Sequence, residues 1–159
     1  MTIDLDGIWI EYEIRMAKWD KRYLELARLV SSWSKDPRKK VGAVITEDNY
    51  VRSIGFNGFP RAVDDSDERL NNQELKNKLM LHAEVNAIMA AQGKGDAIYI
   101  YPCLPCMACL MQLIQIGIER VVTTKKCLER ATHWDSELVL EILKEQCIPV
   151  SFIDLEEEV

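Results

Sequence analysis

His82-Ala83-Glu84 and Pro105-Cys106-Met107-Ala108-Cys109 are the stretches of this sequence whose residue types and spacing could hold and use a metal ion. Cys106 and Cys109 are three apart, so on the first turn of a helix both sulfurs face one side. Free backbone N–H groups and the positive end of the helix dipole favour thiolate over thiol at that turn. Two thiolates balance the charge of Zn2+, and His82 adds a neutral third ligand. Three protein ligands leave a fourth position for water, the layout of a catalytic zinc and not of a structural one. Zinc held this way makes water a usable nucleophile near neutral pH. Glu84 is two residues from His82 and is not a ligand in this reading. Its carboxylate is the group to take the water's proton and pass it on.

The cysteine register has a rival, because Pro102-Cys103-Leu104-Pro105-Cys106 repeats the same P-C-x-x-C pattern. Pro105 suits the first position of a helix, where its missing N–H costs nothing. The Cys103 register would put that proline between the two ligands, so Cys106 and Cys109 are the expected pair. A structural zinc site would need four ligands, and His133 could supply one. A His-x-Glu at a helix start serves no purpose in such a site. Cys127 and Cys147 read as small buried hydrophobes.

The elements that must position these residues follow from period and punctuation. Residues 1–14 form an N-terminal extension, helical from Trp9. From Trp19 to Trp33 the apolar positions Tyr23, Leu24, Leu26, Ala27 and Val30 recur at helical spacing. Pro37 ends that helix by biasing Asp36 out of helical geometry. Val41–Thr46 and Tyr50–Gly55 read as a hairpin around Glu47-Asp48-Asn49. Phe56 to Asn72 reads as a long loop with room for one helical turn. A helix over Leu81–Gln92, a strand at Ala97–Tyr101 and a helix from about Pro105 to Ile116 come next. A strand at Glu119–Thr123, a helix at Ser136–Glu145 and a strand at Pro149–Ile153 complete the chain. This order predicts a mixed sheet with helices on both faces. Its last three strands, joined by helical crossovers, should run parallel.

With 159 residues, 48% of them apolar and 29% charged, the composition is that of one ordinary globular domain. No run is apolar enough to span a membrane, and residues 1–20 lack the layout of a signal peptide. A cytoplasmic setting is expected, in which the five cysteines remain reduced. The net charge of −6 argues against a nucleic-acid partner, although one local basic pocket could hold a small phosphorylated ligand. Lys35, Arg38, Lys39, Lys40 and Arg61 are the cations to consider for that task. Lys39 and Lys40 read first as a solvated face.

The H-x-E and P-C-x-x-C pair is the signature of the zinc-dependent deaminases. At these motifs the sequence resembles the deoxycytidylate deaminase family within the cytidine deaminase superfamily, over roughly Trp19 to Ile153. The resemblance takes in Ser34-Lys35-Asp36-Pro37 with Val41–Ile45, the loop Gly55-Phe56-Asn57-Gly58-Phe59-Pro60, His82–Ile88 and Ile114–Ile118. The Gly-aromatic-Asn-Gly loop and Asn86 favour the deoxycytidylate branch over tRNA-adenosine and guanine deaminases. Phe56 stands where the family often has tyrosine, which keeps the ring and removes a hydroxyl. Tyr101-Pro102-Cys103-Leu104 departs from the commoner approach to the zinc cysteines and resembles a bacterial and phage subgroup.

The resemblance implies a cytidine-deaminase-like three-layer α/β/α sandwich around a five-stranded mixed sheet. It implies one deaminase domain over residues 1–159, with 154–159 an acidic tail. The implied reaction is hydrolytic deamination of dCMP to dUMP, with one catalytic zinc per chain. Asn57 should touch the sugar, the Ala83 N–H should bind the pyrimidine carbonyl, and Ser34 and Lys35 should lie near phosphate or sugar. Asn57 between two glycines is equally what a tight turn wants. Lys35 and Arg61 are the expected phosphate readers, because both border the zinc pocket in this superfamily. Homo-oligomers, often hexamers, and regulation by dCTP and dTTP with Mg2+ are further implications. The rival functions are deamination of adenosine in tRNA and a non-catalytic nucleotide sensor. The acidic balance speaks against the first, and an intact Glu84 with intact ligands against the second.

Overall fold

The structure, a computed structural model, describes residues 5–129 and 135–156, with side chains from residue 15 onward. His133 lies outside the described residues. The first helix, α1 (Leu5–Ser31), starts ahead of Trp9 and runs unbroken through the stretch expected from Trp19. After it come β1 (Gly42–Glu47), β2 (Tyr50–Phe56), α2 (Asp67–Asn71), α3 (Gln73–Leu79) and α4 (Ala83–Ala90). The rest is β3 (Ala97–Tyr101), α5 (Met107–Gln115), β4 (Arg120–Thr124), α6 (Lys126–Glu129), α7 (Ser136–Glu145) and β5 (Val150–Ile153).

The strands form one sheet in the order β2-β1-β3-β4-β5. β1 pairs antiparallel with β2 and β3, while β3, β4 and β5 run parallel, as the crossover pattern requires. Alternation along the strands divides two layers of core. Ala43, Ile45, Ile98, Ile100 and Val121 point to one face, where Ala83, Ala87, Leu110, Leu113, Val139 and Leu143 from α4, α5 and α7 cover them. Val44, Tyr99 and Val122 point the other way, onto Tyr23, Leu24 and Ala27 of α1. A sheet hydrophobic on both faces has to be covered on both, and the α/β/α sandwich is the result. Under α1 the Asp20 carboxylate accepts from Tyr99 Oη at 2.9 Å and pairs with Arg120, fixing that helix across β3 and β4.

Two glycines set the spacing of the layers. A Cβ at Gly42 would stand 2.0 Å from the Ala27 carbonyl oxygen of α1, and one at Gly55 would stand 2.3 Å from that of Ala83. The backbone of β2 therefore lies directly against the first turn of α4.

The stretch expected to be a loop with one turn of helix carries α2, and beyond its end α3 adds a helix the pattern did not predict. The reason is that α3 has no apolar face. Its one buried residue is Lys76, held by an ion pair to Asp36, and periodicity cannot signal such an anchor.

Candidate active site

Two helix starts meet at the site. His82 is the N-cap of α4 and Cys106 the N-cap of α5, each with extended backbone, at φ −70° and −69°. The α5 helix thus begins at Met107 and not at Pro105, which precedes the cap. Cys109 sits in its first turn and is buried. The approach to His82 is fixed by a short bridge, with Gly58 N–H donating to the Leu81 carbonyl at 3.1 Å and Leu81 N–H returning to Gly58 at 2.8 Å. Asn86 Nδ2 donates to the Phe56 carbonyl at 2.8 Å and ties α4 to the end of β2.

His82 Nδ1 lies 3.4 Å from Cys106 Sγ and 3.4 Å from Cys109 Sγ, and all three ligand atoms fall within 4.8 Å of one another. Tetrahedral zinc with ordinary Zn–S and Zn–N bonds would set the sulfur-to-nitrogen edge at roughly 3.5 Å. The donor set fits that ion in distance and chemistry. Hydrogen bonds from Cys109 and His82 hold the Cys106 thiol far below its usual range, at about 3. The Cys109 thiol, donor to that thiolate, is pushed up. The hydrogen bond to Cys106 raises His82. The sulfurs of Cys106 and Cys109 each lie within hydrogen-bonding distance of His82 Nδ1, and metal binding must displace the protons these groups carry.

Cys103 is not in this set. It lines the cavity above the ligands, and burial pushes its thiol up, the state of an inert thiol. Glu84 is only 4% exposed. Burial pushes its carboxyl up, against a smaller downward pull from its own backbone N–H and from His82. A carboxyl raised by burial in this way takes up a proton more readily than an exposed one, as a group that must accept and return protons should.

These groups open on a cavity of about 370 Å³, large enough for one nucleotide-sized ligand. Asn57 and Ala83 line it, as expected of them. The Asn57 side chain also holds the backbone of the opposite wall, accepting from Val41 N–H at 2.9 Å and donating to the Lys39 carbonyl at 2.8 Å. Ser34, Lys35 and Arg61 are not among the lining residues. Ser34 is buried behind Asn57, its hydroxyl donating to the Asn57 carbonyl at 2.8 Å. Lys35 points out to Asp65, at 2.7 Å, and Arg61 is exposed. The cations at the cavity are Arg38, Lys39 and Lys76 instead. Asp36 turns the chain here by accepting the N–H groups of Arg38 and Lys39, which reverses the side of the chain that faces the zinc ligands. Gln73, Lys76 and Asn77 of α3 were not anticipated at all, for the reason already given.

The family described as "Cytidine and deoxycytidylate deaminase zinc-binding region" matches residues 17–125. An uncharacterized deaminase of Aliivibrio fischeri is 39% identical over 127 residues, covering 77% of this chain and 84% of that protein. A probable deoxycytidylate deaminase of Caenorhabditis elegans is 36% identical over 110 residues, 65% of this chain. The matched region spans only 56% of that longer relative. Among solved structures, the dCMP deaminase of cyanophage S-TIM5 in complex with dCMP and dUMP superposes with a TM-score of 0.64. The superposition covers 89% of this chain and 97% of that one at 22% identity, which establishes a shared fold. By its matched region, its relatives and its His–Cys–Cys site, this chain belongs to the zinc-dependent cytidine and deoxycytidylate deaminase family.

Proposed function

We propose that this chain converts dCMP and water to dUMP and ammonia. The observation that carries the reading is the buried Glu84 carboxyl beside the His82–Cys106–Cys109 donor set, on a cavity of nucleotide size. Zinc supplies, when bound, the Lewis acidity that turns water into a nucleophile near neutral pH. Glu84 takes the proton of that water and delivers protons to the ring nitrogen and to the departing amine, so that one water replaces one ammonia. Ala83 N–H, in the first turn of α4 with no intrahelical partner, is the donor for the pyrimidine carbonyl. Asn57 stands at the wall for the sugar. Arg38 and Lys39 are placed to hold a 5′-phosphate, the task expected of Lys35 and Arg61.

The reading extends to the setting. All five cysteines are free, which suits a reducing cytoplasm. No helix among the described residues is long and apolar enough to cross a membrane. Leu29, Trp33, Ile54 and Phe56 are exposed, and the Trp33 and Phe56 rings meet edge-on at 6.1 Å. An apolar surface of this kind suits self-association, and a homo-oligomer, hexameric by resemblance, is part of the proposal. Regulation by dCTP and dTTP with Mg2+ rests on the resemblance alone. The test is ammonia release from dCMP, CMP, dCTP, deoxycytidine and an adenosine-containing tRNA stem-loop, by zinc-loaded protein. Turnover of dCMP above the others is expected. Deamination of the stem-loop without dCMP would overturn the reading, as would an inert protein with a full zinc complement.

A further inference from the structure

Lys76 is the one buried residue of α3, 5% exposed, and its ammonium lies 2.9 Å from Asp36 Oδ1 on the wall of the zinc cavity. The same oxygen accepts Arg38 N–H at 2.8 Å and Lys39 N–H at 3.1 Å. One carboxylate therefore organises three cationic residues around a single cavity, and leaves two positive charges in excess of its own. An ammonium carries three donors; Asp36 takes one.

A buried ion pair is a poor way to fasten a helix, because desolvation offsets most of the attraction and an apolar pair of the same size would usually do as well. The remaining cavity-facing residues of α3, Gln73 and Asn77, are polar as well, and Arg38 reaches Gln73 Oε1 at 2.8 Å. A wall built to hold a flat pyrimidine would be mostly apolar. A wall of amides and cations suits the sugar and phosphate end of a ligand.

We infer that Lys76 is a specificity-determining residue, delivered by α3 and aimed by Asp36, that reads the 5′-phosphate dianion of the bound nucleotide together with Arg38 and Lys39. The inference rests on the proposed nucleotide deaminase reading and adds to it a residue far from the signature motifs. The third cation is buried, so its contact with the phosphate escapes the screening that weakens those at the rim.

The experiment compares the binding of dUMP and deoxyuridine to zinc-loaded protein by calorimetry, without turnover. The variants are Lys76→Met, Lys76→Gln and Lys76→Arg, each checked for zinc content and circular dichroism. The expected result is that Lys76→Met and Lys76→Gln weaken dUMP binding ten- to a hundredfold and change deoxyuridine binding less than twofold. Lys76→Arg should recover most of the dUMP affinity. A role limited to fastening α3 would weaken both ligands together, and that outcome overturns the inference. So does an unchanged dUMP preference in either neutral variant that folds. Should the methionine and glutamine variants both fail to fold, Asp36→Asn, which withdraws the carboxylate that aims Lys76, takes their place: a weakened dUMP preference with deoxyuridine binding unchanged supports the inference, and both ligands weakened together, or neither, refutes it. If the unsubstituted protein itself does not distinguish dUMP from deoxyuridine, the nucleotide reading is what fails.

Discussion

His82 Nδ1 lies 3.4 Å from Cys109 Sγ, although the two residues belong to different helices. That contact separates the two cysteine registers. Cys109→Ala should purify with little zinc and no activity, because two donors cannot hold the ion as three do. Cys103→Ala, which removes a thiol of the cavity wall, should keep one zinc per chain. Metal analysis of the two purified variants decides between them, and zinc loss confined to Cys103→Ala would mean that the ligand set is wrong.

The site was legible where its determinants are local. A histidine and a carboxylate two residues apart, or two cysteines three apart, constrain each other through one turn of backbone. The parallel run of the last three strands was legible because helical crossovers between strands of one sheet require it. What escaped depends on pairing between distant residues. Lys76 looks in sequence like a surface lysine of a polar stretch; it is buried only because Asp36, 40 positions earlier, waits for it. Lys35 and Arg61 flank the right loops, and sequence adjacency does not say which way a side chain leaves the chain. The Asp36 turn sends Lys35 outward and Arg38 and Lys39 inward.

Gly55 tests how closely the fold positions the chemistry. A Cβ there would stand 2.3 Å from the Ala83 carbonyl and 2.5 Å from Ala87 N, both backbone atoms that cannot yield alone. Gly55→Ala should push the start of α4 off the sheet and carry His82 and Glu84 with it. Overpacking costs about 1–3 kcal/mol of stability, seen as a lower Tm, and zinc affinity should fall in parallel. Unchanged zinc binding would show that α4 can move without moving the ligand.

The Asp36–Lys76 pair makes a prediction about acid. Burial pushes the Asp36 carboxyl up, but the N–H groups of Arg38 and Lys39 and the Lys76 ammonium outweigh it and hold the group below its ordinary value of 3.8. A carboxylate depressed in the native state contributes stability above its unfolded value and loses it as pH falls through the native one. Asp36→Asn should therefore be less stable near neutral pH and converge with the unsubstituted protein as the pH falls through the depressed native value of the carboxyl. Thermal unfolding across that range checks it; parallel curves with no convergence would remove Asp36 from the acid response.

Glu84→Gln preserves shape and removes the proposed proton carrier. Zinc content should be unchanged, since Glu84 is not one of the clustered donors. Turnover should fall by about 10²–10⁴-fold, the ordinary contribution of a general acid–base group. A variant retaining a tenth of the activity would return the proton transfers to another residue.

The cations at the cavity mouth provide the last test, scored as the ratio of kcat/KM on dCMP to that on deoxycytidine. Losing a charge-assisted contact to phosphate costs about 1.5–3 kcal/mol, roughly ten- to over a hundredfold in kcat/KM. Arg38 and Lys39 are exposed at the rim, so each should fall at the lower end of that range, where solvent and salt weaken the contact. The loss should appear in KM with kcat nearly intact, because the phosphate sits apart from the reacting carbon and its contacts are the same before and during the reaction. Raising the salt concentration should shrink the effect of both substitutions. Lys35→Ala and Arg61→Ala should leave the ratio unchanged. Lys35 is engaged with Asp65 at the surface, and neither residue borders the cavity. If Lys35→Ala or Arg61→Ala collapses the preference for dCMP while Arg38→Ala and Lys39→Ala do not, the phosphate lies on the outer side of the Asp36 turn and the orientation of the nucleotide proposed above is reversed.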